Sequence, residues 1–256
     1  MNKQRTVIVT GAAGTIGFAI AQAFAREGDH VVIVDINEEG AIQAAKQLSQ
    51  ETGNEASAYA VDITDEGQVK RLVETVIEKR GSIDIIVNNA GLQHIDKVED
   101  FPLEKWNYLI GVMLTGPFLL IKHTVPWMKK QQYGRIINIS SVHGKTASPF
   151  KSAYIASKHG LVGLSRTVAL ETADDGITVN CILPGVVDTP LIRNQLQKLS
   201  ETEGISQDEA LHKHLLNKQA LKRFIKPEEI AACAVYLASD LAAGVTGEEI
   251  SVSGGW

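Results

Sequence analysis

The stretch TVIVTGAAGTIG at residues 6–17 decides the fold. Residues 6–9 are β-branched throughout. They read as a short strand buried on both faces, since a strand with one wet face alternates polar and apolar residues. Gly11, Gly14 and Gly17 then open a tight turn, and Thr15 and Ile16 lead into a helical pattern over 16–27. Such a turn lets the backbone approach a pyrophosphate closely, and the helix start offers free N–H groups and partial positive charge. A glycine-rich turn alone is a weak signal. The second strand, 31–34, strengthens it by ending in Asp35, 18 residues beyond Gly17. A carboxylate at that distance can accept hydrogen bonds from the ribose hydroxyls of a dinucleotide. It would also repel a 2′-phosphate, and residues 36–39 hold no Arg or Lys to offset this, so the expected cofactor is NAD rather than NADP. The plainer alternative is an aspartate that merely ends a strand.

Working outward, short β-branched runs alternate with longer helical patterns. Strand candidates at 56–61, 83–87, 135–139, 178–182 and 249–252 bring the set to seven. Helix candidates cover 38–51, 66–80, 103–130, 152–173 and 227–238. Asp65, Ser152 and Pro227 stand near three of the starts, where caps and first-turn prolines belong. The alternation predicts parallel β-α-β units, hence a doubly wound α/β sheet with helices on both faces. Over 188–226 the rhythm fails: helical patterns at about 189–200 and 206–219 have no strand after them. A long excursion inside a compact α/β domain is commonly a helical lid. Its second half, 211–224, carries Lys213, Lys218, Lys222 and Arg223 with no acid, plus His212 and His214. That stretch is either a solvated face or a means of drawing in an anionic substrate.

Composition sets the outer limits. A length of 256 residues favours one domain over 1–256, large enough to bury a core without staples. A net charge of −5 leaves no electrostatic footprint for nucleic acid. Cys181 and Cys233 lie far apart, with neither metal-type nor CxxC spacing, so no metal is expected and a reducing compartment is. Residues 6–25 carry no charge and follow Lys3 and Arg5, like a signal peptide, but the glycines, threonines and Gln22 spoil them as an apolar core. The uncharged run 106–121 is interrupted by Gly111, Gly116 and Pro117 and falls short of the ~20 apolar residues a membrane span needs. The expected location is cytoplasmic, with no membrane partner.

More motifs follow the turn. Asp62 closes the third strand, Asn88-Asn89-Ala90-Gly91 the fourth, and Ser141 follows the fifth. Tyr154 and Lys158 lie four apart on a helical pattern, and Pro184-Gly185 precedes Thr189-Pro190. Through these motifs, and over nearly its whole length, the chain resembles the short-chain dehydrogenase/reductase family. The resemblance implies a single-domain Rossmann-like fold and an NAD-dependent alcohol dehydrogenase. It implies that Gly11, Gly14, Thr15, Ile16 and Gly17 hold the pyrophosphate, and that Asp62 contacts the adenine amino group with Ile63 beside the ring. Asn89 would steady the central strand and Thr189 hold the nicotinamide carboxamide. Ala90, Gly91, Pro184, Gly185 and Val187 complete the implied cofactor set, with Tyr154 and Lys158. The family's middle glycine falls on Thr15, with Gly14 one place early, which predicts a slightly rearranged turn. A homotetramer is also implied, with 103–130, 152–173 and the last strand at its interfaces.

Tyr154 and Lys158 project from one helix face. A tyrosine near pKa ~10 is a poor base unless its phenolate is stabilised, and an ammonium one turn away supplies that. Ser141, 13 residues upstream of Tyr154, could hydrogen-bond the substrate oxygen. The three make an acid/base site for hydride transfer between a carbinol carbon and a nicotinamide. The asparagine of the family's tetrad aligns with Met113. A thioether can neither shape a helix kink through an amide nor order a water beside the lysine. Depressed turnover, or a non-catalytic dinucleotide-binding protein, is the corresponding alternative.

Within the family, the likeness is greatest to bacterial D-3-hydroxybutyrate dehydrogenases, in 88–94, 141–144, 147–154 and the terminal Gly254-Gly255-Trp256. It implies that Gln93, His143, Lys151 and Gln195, together with Ser141 and Tyr154, grip a small 3-hydroxy carboxylate such as (R)-3-hydroxybutyrate or its oxidised partner acetoacetate. Taken singly, the glutamines read as solvated loop residues, Lys151 as a first-turn residue and His143 as packing. Where those enzymes carry tryptophan after Pro-Gly, Val186 stands here, which predicts a roomier pocket. A sugar acid, a polyol or a 3-oxoacyl thioester therefore stays open as the substrate, although Asp35 weighs against a thioester reductase.

Overall fold

A computed structural model describes residues 4–256, apart from the side chains of Leu191 and Lys198. The seven strands are β1 (Thr6–Thr10), β2 (His30–Asp35), β3 (Ala56–Ala60), β4 (Ile85–Asn88), β5 (Gly134–Ile139), β6 (Ile177–Pro184) and β7 (Glu249–Val252). All pair in parallel, in the order β3-β2-β1-β4-β5-β6-β7. The helices are α1 (Thr15–Arg26), α2 (Glu38–Thr52), α3 (Glu66–Arg80), α4 (Leu103–Gln131), α5 (Ser152–Thr172), α6 (Pro190–Glu203), α7 (Gln207–Ala210) and α8 (Pro227–Leu237).

The apolar strands follow from this layering. Val7 and Val9 of β1 enter a core with Ile20 and Phe24 of α1, Leu48 of α2 and Ile230 of α8. Ile8, between them, enters the opposite core with Leu72 of α3, Met128 of α4 and Val168 of α5. With helices on both faces, no position along β1 has a wet side to alternate with. The chain runs outward from β1 to β3 and then crosses back to β4 on the other side of β1. That reversal opens a crevice at the carboxyl ends of the central strands, where α/β proteins bind ligands.

Element boundaries shift by one to two residues from the sequence reading. Asp84, just before β4, accepts at its carboxylate from the Thr6 N–H at 2.7 Å and the Ser82 hydroxyl at 2.9 Å, closing the end of β1. The helix expected over 103–130 is present as α4, and what the sequence did not show is one widened π turn over Gly111–Thr115, with the Gly116 N–H donating to the Gly111 carbonyl. Gly116 is needed there, since a Cβ would stand 2.8 Å from the Ile63 side chain. By length and composition α4 could cross a membrane, but half of its most apolar window is buried inside the protein.

The 188–226 excursion has an apolar cluster of its own: Val186, Leu196, Ala210, Leu215 and Leu216. Its two ends are pinned together by a parallel bridge between Val187 and Ile225, with the Ile225 N–H donating to the Val186 carbonyl at 2.8 Å. The expected helix over 206–219 is shorter: α7 runs into a π turn at Leu211–Leu215 and stops. Fully buried Gln219 explains the stop. Its Oε1 accepts from the Val186 N–H at 3.2 Å, and its Nε2 donates to the carbonyls of Leu221 at 2.7 Å and Arg223 at 2.5 Å. Those bonds draw the chain into an irregular path that a helix could not follow.

Candidate active site

A cleft of about 470 Å³ runs along the carboxyl ends of the strands. Every position that the sequence suggested for the cofactor lines it, from Gly11 through Asp35, Asp62 and Asn89 to Thr189. The glycine-rich turn owes its shape to close approach. Gly11 has φ +62°, and a Cβ on it would lie 2.8 Å from the Ala90 Cα. A Cβ on Gly17 would meet the Gly11 carbonyl oxygen and stand 2.6 Å from Asn89 Nδ2. Gly14 is the extended N-cap of α1, and its N–H donates to the Gly11 carbonyl at 3.2 Å, so the turn tightens one place early without losing the helix start.

The start of α1 is left open. Asn37 caps α2, Asp65 caps α3 and Thr189 caps α6 through their side chains, but no side chain caps α1 and its first turn carries no acid. Uncapped N–H groups at the mouth of a cleft favour an anion. The turn is fixed from behind by Asn89, whose Nδ2 donates to the carbonyls of Thr10 at 3.1 Å and Gly11 at 3.2 Å. This clamp is a more specific job than steadying a strand. The Asp35 carboxylate accepts from the N–H groups of Ala13 at 3.2 Å and Asn37 at 3.1 Å. Asp62 accepts from the Thr64 N–H at 2.9 Å and its hydroxyl at 2.7 Å. These residues fit a dinucleotide: a bare helix start for the phosphates and, beyond it, an acid for a ribose.

Ser141, Tyr154 and Lys158 meet at the other end of the cleft. Ser141 follows β5, where its hydroxyl accepts from the His143 N–H at 3.2 Å and lies 3.4 Å from His143 Nδ1. Burial raises the Tyr154 phenol above its ordinary pKa, and hydrogen bonding with the Ser141 hydroxyl pulls the other way. Lys158 is buried, with Nζ donating to the Ile139 carbonyl at 2.8 Å and standing 5.7 Å from the centre of the Tyr154 ring. Burial lowers its ammonium to a pKa of about 8. The ammonium is thus mostly charged at neutral pH and close enough to favour the phenolate.

Met113 is fully buried and reaches the same place. A Cβ on Gly91 would stand 3.8 Å from Met113 Sδ and 3.9 Å from Lys158 Nζ. The π turn of α4 contains Met113, so the irregular helix expected of an asparagine at this position exists without the amide.

The four proposed substrate residues do not share one environment, and none of them lines the cleft. His143 is buried against the site, with Nε2 2.9 Å from the Ser148 hydroxyl and its ring edge-on to Tyr154 at 6.1 Å. Burial, helped by the charge of Lys151, lowers its pKa to about 4, so it is neutral at physiological pH. Lys151 precedes α5; burial lowers its pKa too, and its ammonium has no hydrogen-bond or ion-pair partner among the described residues. Lys151 is aimed by Phe150, which holds a left-handed φ of +67° and accepts at its carbonyl from the Asp96 N–H at 3.0 Å. Gln93 has a buried Oε1 with no partner among the described residues. Gln195 lies partly exposed on α6. The structure brings His143 to Ser141 and Tyr154 and shows no contact to them from Lys151, Gln93 or Gln195.

Val186 packs into the excursion's apolar cluster and does not itself line the cleft. The basic stretch is not a field of free charge, because Lys213 bonds Glu203 at 2.8 Å, Arg223 bonds Glu229 at 2.7 Å, and Lys222 donates to the Leu216 carbonyl at 2.8 Å. Sequence reasoning passed over Leu92, Tyr108, Val112 and Ile192, which also line the cleft. Tyr108 and Val112, four apart on one face of α4, were the legible pair among them. It also gave Trp256 no role, although its ring stands 5.7 Å from that of His143.

A family model described as enoyl-(acyl carrier protein) reductase matches residues 11–256. An uncharacterised oxidoreductase of Bacillus subtilis is 47% identical over 99% of this chain and 98% of its own length. A D-beta-hydroxybutyrate dehydrogenase of Rhizobium meliloti is 42% identical over 98% of both chains. Among solved structures, an NAD+-bound xylitol dehydrogenase superposes with a TM-score of 0.90 at 29% identity, over 100% of both chains.

Proposed function

The chain belongs to the short-chain dehydrogenase/reductase family and is an oxidoreductase of the alcohol dehydrogenase type, and on that premise we propose that it moves a hydride between NAD and a small 3-hydroxy carboxylate, the pair (R)-3-hydroxybutyrate and acetoacetate suiting it best. The observation that carries this reading is Lys151. It is a half-buried ammonium with no hydrogen-bond or ion-pair partner among the described residues, and its charge acts on a neutral His143 whose ring lies edge-on to Tyr154. An unpaired cation beside a reacting centre is costly to keep unless an anion arrives to use it.

NAD fits the adenosine end through Asp35, whose negative charge disfavours a 2′-phosphate. When bound, a nicotinamide supplies or accepts the hydride. The chain's residues do the rest. Ser141 and Tyr154 hydrogen-bond the substrate oxygen and fix the carbinol carbon in place. Tyr154 takes the hydroxyl proton during oxidation and returns it to the carbonyl oxygen during reduction. Lys158, anchored on the Ile139 carbonyl, keeps a positive charge beside Tyr154 that makes the phenolate accessible. Lys151 and His143 orient the carboxylate, with Gln93 and Gln195 closing on it as α6 moves. On this view residues 1–256 are one domain with a lid over 188–226. It forms a cytoplasmic homotetramer, for which exposed Leu170 on α5 is a natural contact, and light scattering gives the mass directly.

The test is initial-rate measurement of NADH formation. (R)-3-hydroxybutyrate with NAD should outrun NADP by roughly tenfold or more, corresponding to ~1.4 kcal/mol. Ready oxidation of xylitol with no turnover of any 3-hydroxy acid would replace this reading with the polyol one. NADH binding without turnover on either would leave a non-catalytic binder.

A further inference from the structure

Among the described side chains of 211–224 there is one cation that the excursion's own fold does not use. Lys213 and His214 both reach Glu203 at 2.8 Å, Lys222 bonds backbone carbonyls, and Arg223 grips Glu229. His212 stands 3.7 Å from Asp208. Lys218 alone among the basic side chains of 211–224 meets no acid or carbonyl among the described residues. Its ammonium instead lies 5.7 Å from the centre of the Trp256 ring, whose other neighbour is His143 at 5.7 Å. The backbone beneath it is held firmly, because the next residue is the buried Gln219 that ties the excursion's two ends together.

We propose that Lys218 is a substrate-binding residue: its ammonium, carried by the excursion, joins that of Lys151 to hold the substrate carboxylate across His143. This rests on the hydroxy-carboxylate reading above and names the second cation of the same site. The Trp256 ring, 5.7 Å from the Lys218 ammonium and 5.7 Å from the His143 ring, sets Lys218 on the His143 side of the site, and the charge of Lys151 also acts on His143. The Trp256 face holds the ammonium by cation–π attraction while no anion is present, at a strength a carboxylate readily exceeds. Binding an anion thus draws Lys218, and the excursion with it, over the reacting carbon.

The test pairs Lys218→Met with Lys218→Arg and uses butyrate, a carboxylate with no hydroxyl to oxidise, titrated calorimetrically into the purified protein. Lys218→Met should weaken butyrate binding ~10- to 100-fold, as expected for losing a charge-assisted bond, and Lys218→Arg should restore most of it. The KM for 3-hydroxybutyrate should rise in parallel with kcat little changed, while kcat/KM for the uncharged ethyl ester stays at the wild-type value. Equal butyrate affinity in wild type and Lys218→Met overturns the proposal, as does an ester rate that falls with the acid rate. Lysine-dependent butyrate binding in a protein that oxidises no 3-hydroxy acid would support Lys218 and sink the substrate reading, so the two failures are told apart.

Discussion

The two ends of the cleft are built in opposite ways. Around the glycine-rich turn, polar side chains bond their own backbone: Asn89 clamps Thr10 and Gly11, Asp35 holds Ala13 and Asn37, Asp62 holds Thr64. At the substrate end several polar groups lack a partner. Gln93 Oε1 is buried without a partner, and neither Lys151 nor Lys218 meets an acid among the described residues. The first end can be finished in advance because its backbone shape and its fixed amides and carboxylates suit a dinucleotide. The second cannot, since two ammonium groups near one ring repel each other until an anion sits between them. Pre-organisation favours the cofactor, and unsatisfied charge selects the substrate.

The largest expected effect falls where the ends meet. Tyr154→Phe keeps the ring that packs against His143 and removes only the proton carrier. NAD-dependent oxidation should fall ~100- to 10,000-fold, the range for losing a general acid/base, with NADH binding by fluorescence unchanged. A retained rate would break the assignment of chemistry to this junction. Next comes the finished end itself. In Gly17→Ala the added methyl must displace the Gly11 carbonyl and the Asn89 amide together. Overpacking of this kind costs ~1–3 kcal/mol, and for a chain of this size each kcal/mol lowers Tm by about 2–4 °C. Thermal unfolding should show that drop along with weaker NADH binding. A variant as stable as wild type would mean that the turn is less rigid than its packing implies.

The finished end was also the more legible one. Strands apolar on both faces and glycines at a strand end can be read because they obey local rules, and β1 with its turn lies where the pattern puts it. The excursion resisted for non-local reasons. Glu203 neutralises Lys213 and His214 from another helix, and Gln219 ends a helix by bonding carbonyls that no helical period would offer it. Met113 could be identified as a departure, yet its consequence could not, because a π turn depends on the backbone around Gly111 and Gly116 as well as on the side chain.

The smallest effect probes the unfinished end through pH. Burial holds His143 at a pKa of about 4, below its ordinary value of 6.5. Between those values the unfolded chain takes up a proton that the folded one refuses, so stability falls as pH drops from 6.5 towards 4 and falls no further on this account below 4. Above 6.5 both states are neutral and His143 contributes no slope. The loss amounts to about 3 kcal/mol at most. His143→Gln should remove it, so denaturant unfolding curves of the two proteins should differ in acid sensitivity within that window and run parallel above it. His30, also lowered by burial, and the ion-paired carboxylates such as Glu229 stay in both proteins and contribute to a common residual slope. Identical acid sensitivity would mean that the imidazole is freely protonated in the fold. A charged His143 would then add a third cation to the site, and the contrast between a neutral ring and the two lysines flanking it would have to be abandoned.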